Sequence, residues 1–415
     1  MNRFSKYSFY SLLLFITACG SSNELADSNI ADAYQENSAE IEFEYQLFHS
    51  SADSSRLYFK INTSNLLYAR RGDKSSQAAV IAEVSLANTT EPLKIIRVVD
   101  TDEKKLAKTL IASADFMLQA GKKYDLEVTL TDENRGRSKK VSLIADKVDL
   151  SNRQNYLLSL PDRDIPIFTD RVKPNEVYNL IFNSEIKDQI YVRFYNRAFP
   201  MPPPPFVFYQ PNPFEYEADS TTTIPVNGYN EVKIRTGFSG FYHFHAEEEN
   251  RKGKTIFVSE SEFPEVKTTE HLLEPLRYLV AGREYDQIAE APDIKLELEN
   301  TWIKWAGSKE RARKSIKAYY KRVENANQLF SSHVEGWKSD RGLVFIVYGK
   351  PNKVYRTDKV ETWIYGEENN PLSITFHFVK VINPFTDNDY RLNREEFYKP
   401  SWYRSVNAWR DGRIY

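Results

Sequence analysis

Cysteine is nearly absent from this chain of 415 residues, and the single one present, Cys19, lies near the N-terminus. One thiol excludes an internal disulfide and any metal site built from several thiolates. Long apolar runs are also lacking, since the run at residues 8–18 is shorter than the ~20 residues of a membrane-spanning helix. Lys and Arg number 56 and Asp and Glu 58, and no clustered basic excess favours nucleic-acid binding.

The N-terminal residues have the pattern of a targeting segment. Arg3 and Lys6 precede the apolar run at residues 8–18, which ends in Ile-Thr-Ala directly before Cys19. This ending is similar to a lipobox, in which the cysteine is diacylated and becomes the mature N-terminus. A cysteine left over in a protein core is the alternative, but it does not explain this position. The pattern predicts a signal peptide at 1–18 and a lipid anchor in the outer membrane, on its periplasmic or its surface face.

Two β-rich units are predicted after a polar segment. Small and polar residues predict a flexible tether at 19–40. At 41–150 the apolar residues recur with a period of two, most clearly between Tyr124 and Asp132, and the pattern returns at 151–263. Short alternating strands with polar turns predict two tandem β-sandwiches of immunoglobulin-like architecture.

A third unit, at 264–415, differs in composition, because all six tryptophans of the chain lie within it. The helical period and its caps predict three helices, at Leu272–Ala281, at Asp293–Ala306 and between a Ser308 cap and Phe330. Short apolar runs predict three strands, at Leu343–Tyr348, Thr362–Tyr365 and Ile374–Val379. Two or three helices packed on a small antiparallel sheet would make this unit an α+β domain.

A glycine-flanked turn separates the third helix from the first of these strands. It consists of Gly336, Trp337, Lys338, Ser339, Asp340, Arg341 and Gly342. Both glycines can adopt positive φ, and Asp340 can bond its own backbone. The turn resembles the motif of the GWxTD domain of bacterial envelope lipoproteins, although Ser339 stands where that motif has threonine. The resemblance covers the last third of the chain and implies a fold but no reaction, because the biochemical role of the family is undefined.

Two residues of the turn have both a structural and a chemical interpretation. Trp337 lies at a corner between two elements, which favours burial. Asp340 beside Arg341 could be a catalytic acid with its electrostatic partner, but an aspartate in a turn more commonly accepts hydrogen bonds from turn N–H groups. No second acid, base or nucleophile lies at a short spacing from Asp340, and no known phosphate-loop, zinc-protease or nucleophile-elbow motif is present. We therefore assign no catalytic residue.

His243 and His245 lie two residues apart on a predicted strand, and Glu247 continues the same face. Zinc accepts imidazole and carboxylate ligands, so these three residues are weak candidates for a metal site. By analogy with the first unit, the aromatic residues between them face the core, and the histidines are expected to point outward. Outward polar residues are usual on such a strand, so we expect no metal and no cofactor.

Aromatic residues concentrate in two segments without a helix or strand pattern. Phe206, Phe208 and Tyr209 follow four consecutive prolines, which predict a polyproline II loop. The second group lies in the C-terminal tail and comprises Trp402, Tyr403, Trp409 and Tyr415. Aromatic residues are enriched at the centres of protein interfaces, which favours contacts with a partner. The alternative is that the tail folds back over its own sheet.

These features favour a lipid-anchored envelope protein that acts as a binding or assembly component, with the membrane and an envelope protein as partners. One alternative is a hydrolase of envelope carbohydrate or peptide that uses Asp340 and another acid. A cleft with ionisable groups converging beside Asp340 would favour it. The other alternative is surface glycan binding, which would place coplanar aromatic side chains on an exposed platform.

Overall fold

The computed structural model describes residues 29–34, 41–70, 75–87, 89–101, 109–161, 165–209, 214–226, 228–259 and 262–413. Cys19, the predicted signal peptide and Tyr415 lie outside these ranges, and the assignments made for them stay predictions. The fold is mixed. Mostly antiparallel sheets form the N-terminal two thirds, and the six α-helices of the described residues lie in the C-terminal part. Of these helices, none is long and apolar enough to cross a membrane.

The first unit contains two antiparallel sheets. Its strands are β1 (Phe43–His49), β2 (Ser54–Asn62), β3 (Ala69–Arg70), β4 (Ser76–Leu86), β5 (Pro92–Thr101), β6 (Thr109–Met117), β7 (Lys123–Asp132) and β8 (Arg137–Asp146). One sheet has the order β1-β2-β6 and the other β3-β4-β7-β8, with β5 also paired to β4. The predicted alternation is confirmed in β2, where Leu57, Phe59 and Ile61 are fully buried. Residues of both sheets share one hydrophobic core.

The second unit also contains two sheets around one core. Its strands are β9 (Tyr156–Ser159), β10 (Arg171–Val172), β11 (Val177–Phe182), β12 (Gln189–Tyr195), β13 (Ser220–Pro225), β14 (Glu231–Arg235), β15 (Gly240–His245) and β16 (Lys254–Val258). The sheets have the orders β10-β16-β15-β12-β13 and β14-β11-β9, and β10 pairs in parallel with β16. The proline run lies between β12 and β13, outside any strand.

Over its described residues, the C-terminal unit packs six helices on a four-stranded antiparallel sheet, where the sequence predicted two or three helices and three strands. Its helices are α1 (Thr269–Leu273), α2 (Gly282–Ala289), α3 (Ile294–Ala306), α4 (Lys309–Phe330), α5 (Asp340–Tyr348) and α6 (Tyr398–Arg410). Its strands are β17 (Lys353–Arg356), β18 (Val360–Tyr365), β19 (Ile374–Lys380) and β20 (Tyr390–Leu392), in that spatial order. The Ser308 cap predicted for α4 is confirmed. The helix predicted at Asp293–Ala306 is α3, in which Asp293 is the cap and Gly307 ends the helix with φ 70°. The helix predicted at Leu272–Ala281 is wrong, because α1 ends at Leu273 and Glu274–Tyr278 form a 3-10 helix.

The residues after the motif form helix α5, so the strand predicted at Leu343–Tyr348 is wrong. Ser339 begins the helix, because its Oγ accepts a hydrogen bond from the N–H of Gly342 (3.0 Å). From Asp340 to Val347 each residue is buried. A short helix that is buried on all sides has no amphipathic period, and its sequence cannot be told from that of a buried strand.

The C-terminal tail forms helix α6 and is not the irregular segment expected from the sequence. No side chain caps its N-terminus, and Pro400 lies in its first turn, where proline is tolerated. Tyr398, Trp402 and Trp409 are buried in the core of the C-terminal unit. Of the two alternatives given for the tail, contact with a partner or packing on its own domain, helix α6 therefore follows the second.

Part of the predicted tether also lies against the C-terminal unit. Within the range 19–40, residues 29–34 are described, and Ala31–Tyr34 form one 3-10 turn. Ala31 and Tyr34 are buried in the hydrophobic core of the C-terminal unit. These six residues are therefore not a free tether, because two buried side chains dock them on a domain that lies far away in the sequence.

Candidate functional site

The motif residues form a tight corner between α4 and α5. A Cβ atom on Gly336 would lie 1.8 Å from the carbonyl oxygen of Ala326, and one on Gly342 would lie 1.9 Å from the carbonyl oxygen of Gly336. Backbone atoms cannot yield to contacts that short, so both positions require glycine. Neither glycine has the positive φ that the sequence suggested. Close approach of the backbone explains them instead.

Trp337 is buried, as expected from its place at the corner. Its ring packs edge-on against Tyr278 with the centroids 6.2 Å apart, and the Tyr278 hydroxyl donates to the Trp337 carbonyl oxygen at 2.7 Å. The Trp337 N–H donates to Oδ1 of Asn327 (3.2 Å), and the indole N–H donates to Oε2 of Glu335 (2.9 Å). These contacts fasten the motif to helix α4 and to the turn before α2.

Asp340 is also buried, and both of its carboxylate oxygens accept hydrogen bonds. Oδ1 accepts from Nη2 of Arg394 at 2.5 Å. Oδ2 accepts from Nη1 of Arg394 (3.0 Å) and from the N–H of Leu392 (2.8 Å). The sequence suggested Arg341 as the electrostatic partner of Asp340, and this is wrong. The partner is Arg394. This bidentate ion pair holds the end of β20 against the start of α5.

Arg341 belongs to a second buried polar cluster, which surrounds Glu361. Glu361 accepts hydrogen bonds from the Tyr34 hydroxyl (2.7 Å), from the indole N–H of Trp363 (2.7 Å) and from Nε of Arg356 (2.6 Å). Nη1 of Arg341 lies 3.5 Å from Oε2 of Glu361, the oxygen that also accepts from Arg356. Burial by itself would raise the pKa of Glu361, but Arg341 and Arg356 outweigh it and lower the pKa below its ordinary value. Glu361 is therefore ionised at neutral pH.

Arg341 is held from several sides. Its guanidinium carbon lies 4.1 Å from the ring centroid of Tyr390 and 5.2 Å from that of Phe330. Its Nη2 donates to the backbone carbonyl of Asn388 at 3.0 Å and also to the side-chain oxygen of Asn388. The cluster thus joins α5, β18 and the loop before β20. Its contacts are those of a buried structural network rather than of an acid–base site.

Residues 240–411 match the GWxTD domain. The resemblance drawn from the motif is therefore confirmed for the C-terminal region. Below, the name GWxTD domain is used for the C-terminal unit alone, residues 264–413. The match begins at β15, before the domain boundary predicted at residue 264. No curated protein matches the sequence.

Ser339, which replaces the threonine of the GWxTD motif, has a defined structural part in the corner. Its hydroxyl donates to the carbonyl oxygen of Gly336 at 2.7 Å, and its oxygen accepts from the N–H of Gly342. Threonine carries the same hydroxyl group and could make both hydrogen bonds. The substitution therefore preserves the cap of α5.

An open cleft of about 1830 Å³ lies between the GWxTD domain and the two β-sheet units. Its lining carries both signs of charge, including Arg153, Arg171 and Asp387, but it does not include Asp340. Among the described residues, the arrangement that would favour a hydrolase at Asp340 is therefore not met. That carboxylate faces Arg394 and a backbone N–H instead of an open cleft.

The histidines of β15 are buried and do not point outward. Both ring nitrogens of His243 have hydrogen-bond partners at 2.9 Å, and Nδ1 of His245 lies 2.7 Å from the carbonyl oxygen of Glu247. Phe385 of the GWxTD domain packs edge-on on His243, so it covers the face expected to meet solvent. Burial lowers the pKa of His243 to about 3. Within the described ranges, no group of three or more His, Asp or Glu side chains is arranged to hold a metal ion.

The proline loop of the second unit packs on the GWxTD domain. The carbonyl oxygen of Pro203 accepts from Nη2 of Arg394 (3.2 Å), and that of Pro205 accepts from the N–H of Glu395 (3.2 Å). The ring of Phe206 lies 5.6 Å from that of Tyr403. Arg394 thus joins the motif aspartate to the proline loop.

Five apolar side chains stay exposed at this junction, and we call them the aromatic surface: Val207, Phe208, Tyr209, Phe397 and Tyr403. Phe208 is 79% exposed. Trp402 and Trp409, which the sequence suggested as partner contacts, are buried in the domain core and cannot reach a partner from there. Of the predicted tail contacts within the described residues, Tyr403 alone remains available.

Sequence reasoning missed Arg394, Glu361 and Tyr34. Glu361 lies in a strand whose other central residues are apolar or hydroxylated, and a charged residue in such a run is a usable signal for a buried ion pair. Arg394 and Tyr34 carry no comparable signal, because their partners lie 54 and 327 residues away in the sequence.

Proposed function

We propose that this protein is a lipid-anchored component of the cell envelope that binds a partner protein at its aromatic surface. In this proposal Cys19 carries the lipid and places the chain at the outer membrane, on its periplasmic or its surface face. The two β-sheet units are tandem immunoglobulin-like sandwiches that support the GWxTD domain. The protein then acts by holding or assembling a complex and not by chemical catalysis.

The observation that carries this proposal is the composition and rigidity of the aromatic surface. Phe208 and its neighbours project from a run of prolines whose carbonyl groups are fixed by Arg394 and by the backbone of Glu395. A loop that is preorganised in its bound conformation loses little conformational entropy on binding, which favours affinity. Lys399 on α6 is exposed, and its Nζ lies 5.9 Å from the ring centroid of Phe206, so a cation borders the apolar groups, as is usual for the rim of an interface.

Neither alternative function gains comparable support. A hydrolase that uses Asp340 would need an accessible carboxylate, whereas this one is bound on both oxygens by Arg394 and Leu392. A glycan platform would need coplanar exposed rings. Two aromatic pairs described at this junction, Phe206 with Tyr403 and Phe397 with Tyr398, are tilted by 38° and 46°.

The test compares two exposed phenylalanines in the intact protein. Phe208→Ala removes a side chain of the aromatic surface that is 79% exposed, and Phe238→Ala removes one of the second unit that is 75% exposed. Each tagged variant is purified from solubilised membranes under mild conditions. We expect Phe208→Ala to lose proteins that co-purify with the wild type, because one anchor residue can carry ~2 kcal/mol or more.

The Phe238→Ala variant is the matched control and should retain these proteins. Both variants should have the thermal unfolding temperature of the wild type, since neither side chain is buried. Full recovery of partners by Phe208→Ala would remove the aromatic surface from the proposal.

A further inference from the structure

Residues 29–34 precede the first β-sheet unit in the sequence, yet they bond to an edge strand of the GWxTD domain. The N–H of Ile30 donates to the carbonyl oxygen of Val354 (2.9 Å), and the N–H of Val354 donates to Oδ1 of Asn29 (2.9 Å). Val354 belongs to β17, which is an edge strand of the four-stranded sheet. Exposed edges carry unpaired backbone groups, and these six residues, which we call the arm, satisfy part of that edge.

Tyr34 fixes the other end of the arm. Its ring lies 5.3 Å from that of Phe330 and 5.4 Å from that of Trp363. Its hydroxyl donates to Glu361 at 2.7 Å and accepts from Nη2 of Arg356 at 2.6 Å. Tyr34 thus completes the buried cluster around Glu361, which would otherwise lose one of its donors.

We propose that the docked arm places the GWxTD domain beside the membrane. With the lipid on Cys19 inserted in the membrane, this domain lies nearer to the membrane surface than the first β-sheet unit does. The inference rests on the proposed lipidation of Cys19. Asn29 follows Cys19 by ten residues, and a chain of that length spans at most about 35 Å, or about 17 Å as a flexible coil. A released arm would leave the chain attached through Ile41 of the first unit.

The docked arm also leaves the aromatic surface free. The arm lies along β17 and the proline loop packs beside β20, and these two strands are the opposite edges of the sheet. A partner protein can therefore occupy the aromatic surface while the other edge of the sheet faces the membrane. One domain then carries both attachments.

The docking itself is tested in detergent by hydrogen exchange of the intact protein. The variants are Tyr34→Ala, which removes the buried side chain, and Asn29→Ala, which removes only an exposed acceptor and leaves the core intact. Tyr229→Ala, at a tyrosine that is 73% exposed, is the matched control. We expect amide exchange in β17 to rise at least tenfold in Tyr34→Ala, to rise less in Asn29→Ala and to stay unchanged in the control. Unchanged exchange in both arm variants would overturn the docking.

The membrane placement is tested by energy transfer from tryptophan to dansyl-labelled phosphatidylethanolamine in phosphatidylcholine vesicles. All six tryptophans lie between Trp302 and Trp409, so every donor reports on the GWxTD domain. We expect at least twofold weaker transfer in Tyr34→Ala than in the wild type and in Tyr229→Ala. Equal transfer in all three proteins would overturn the placement.

The two failures are distinguishable. A wild-type protein that does not float with the vesicles would contradict the lipid anchor and the membrane placement together. The exchange of β17 in detergent would still show whether the arm is docked.

Discussion

Replacement of Glu361 by glutamine should destabilise the GWxTD domain strongly. The carboxylate is fully buried and faces two cations, Arg341 and Arg356, and two neutral donors, Tyr34 and Trp363. Glutamine has nearly the same shape, but it removes the charge and directs an amide N–H₂ group toward one pair of donors. The variant therefore leaves buried donors unsatisfied without creating a cavity.

The expected loss follows from the exposure of the two arginines. Removing one partner of a buried ion pair costs ~3–5 kcal/mol. The side chain of Arg356 is 42% exposed and regains water, whereas that of Arg341 is 2% exposed. We therefore expect a loss at the lower end, about 3 kcal/mol, against a total stability of about 5–15 kcal/mol for a typical domain.

Urea unfolding followed by tryptophan emission measures this loss, because every tryptophan of the chain lies in the GWxTD domain. With a slope of about 1–3 kcal/mol per M urea, the midpoint should fall by about 1–3 M. The control is Glu368→Gln, at an exposed carboxylate paired with Lys353, and it should leave the midpoint nearly unchanged.

The effect should depend on pH in one direction. Arg341 and Arg356 outweigh burial and lower the pKa of Glu361, so folding favours its ionised form. That stabilisation is complete above the ordinary glutamate pKa of about 4.3 and is lost as the pH falls through the lower folded-state value. The difference between wild type and Glu361→Gln should therefore shrink on acidification. A variant with the wild-type midpoint at neutral pH would refute the structural role of the cluster.

Three further outcomes are expected. Gly336→Ala should lower the urea midpoint, because its Cβ would lie 1.8 Å from a backbone oxygen, while Gly282→Ala, which meets nothing within 4 Å, should not. Trp337→Ala should cost ~3–5 kcal/mol in the same assay, and an unchanged midpoint would contradict its burial. Cys19→Ser should leave the membrane fraction in cell fractionation, because two or three acyl chains anchor firmly and the apolar run at residues 8–18 is shorter than the ~20 residues of a spanning helix. Retention of that variant at the wild-type level would refute the lipid anchor.

Local signals were sufficient to predict part of this fold. The helix predicted at Asp293–Ala306 and the Ser308 cap both agree with the structure, since a cap acts on backbone groups within one turn. Helix α5 was mistaken for a strand because burial on all sides erases the amphipathic period. In α6, Tyr398, Trp402 and Trp409 did recur at helical spacing, and Pro400 without a capping side chain obscured it.

The site could be predicted less well than the fold, because its contacts are distant in sequence. The motif located the corner, but neither the Arg394 partner of Asp340 nor the Tyr34 partner of Glu361 follows from spacing. His243 was predicted to point outward because the residue that covers it is also distant in sequence. Phe385, in the loop before β20 of the GWxTD domain, packs on the face of β15 that was expected to meet solvent. Burial by a distant element is a property of tertiary packing that an alternating strand does not encode.

The most direct test of the account separates the motif from the partner surface by measuring partner recovery per folded molecule in Asp340→Asn and Phe208→Ala. Folded protein is quantified by tryptophan emission, and bound partners by quantitative mass spectrometry after purification from solubilised membranes. The account predicts that Asp340→Asn lowers the unfolding midpoint but binds partners normally once folded, whereas Phe208→Ala keeps the midpoint and loses them. The opposite result, a stable Asp340→Asn without partners beside a fully binding Phe208→Ala, would contradict it and place the function at the motif.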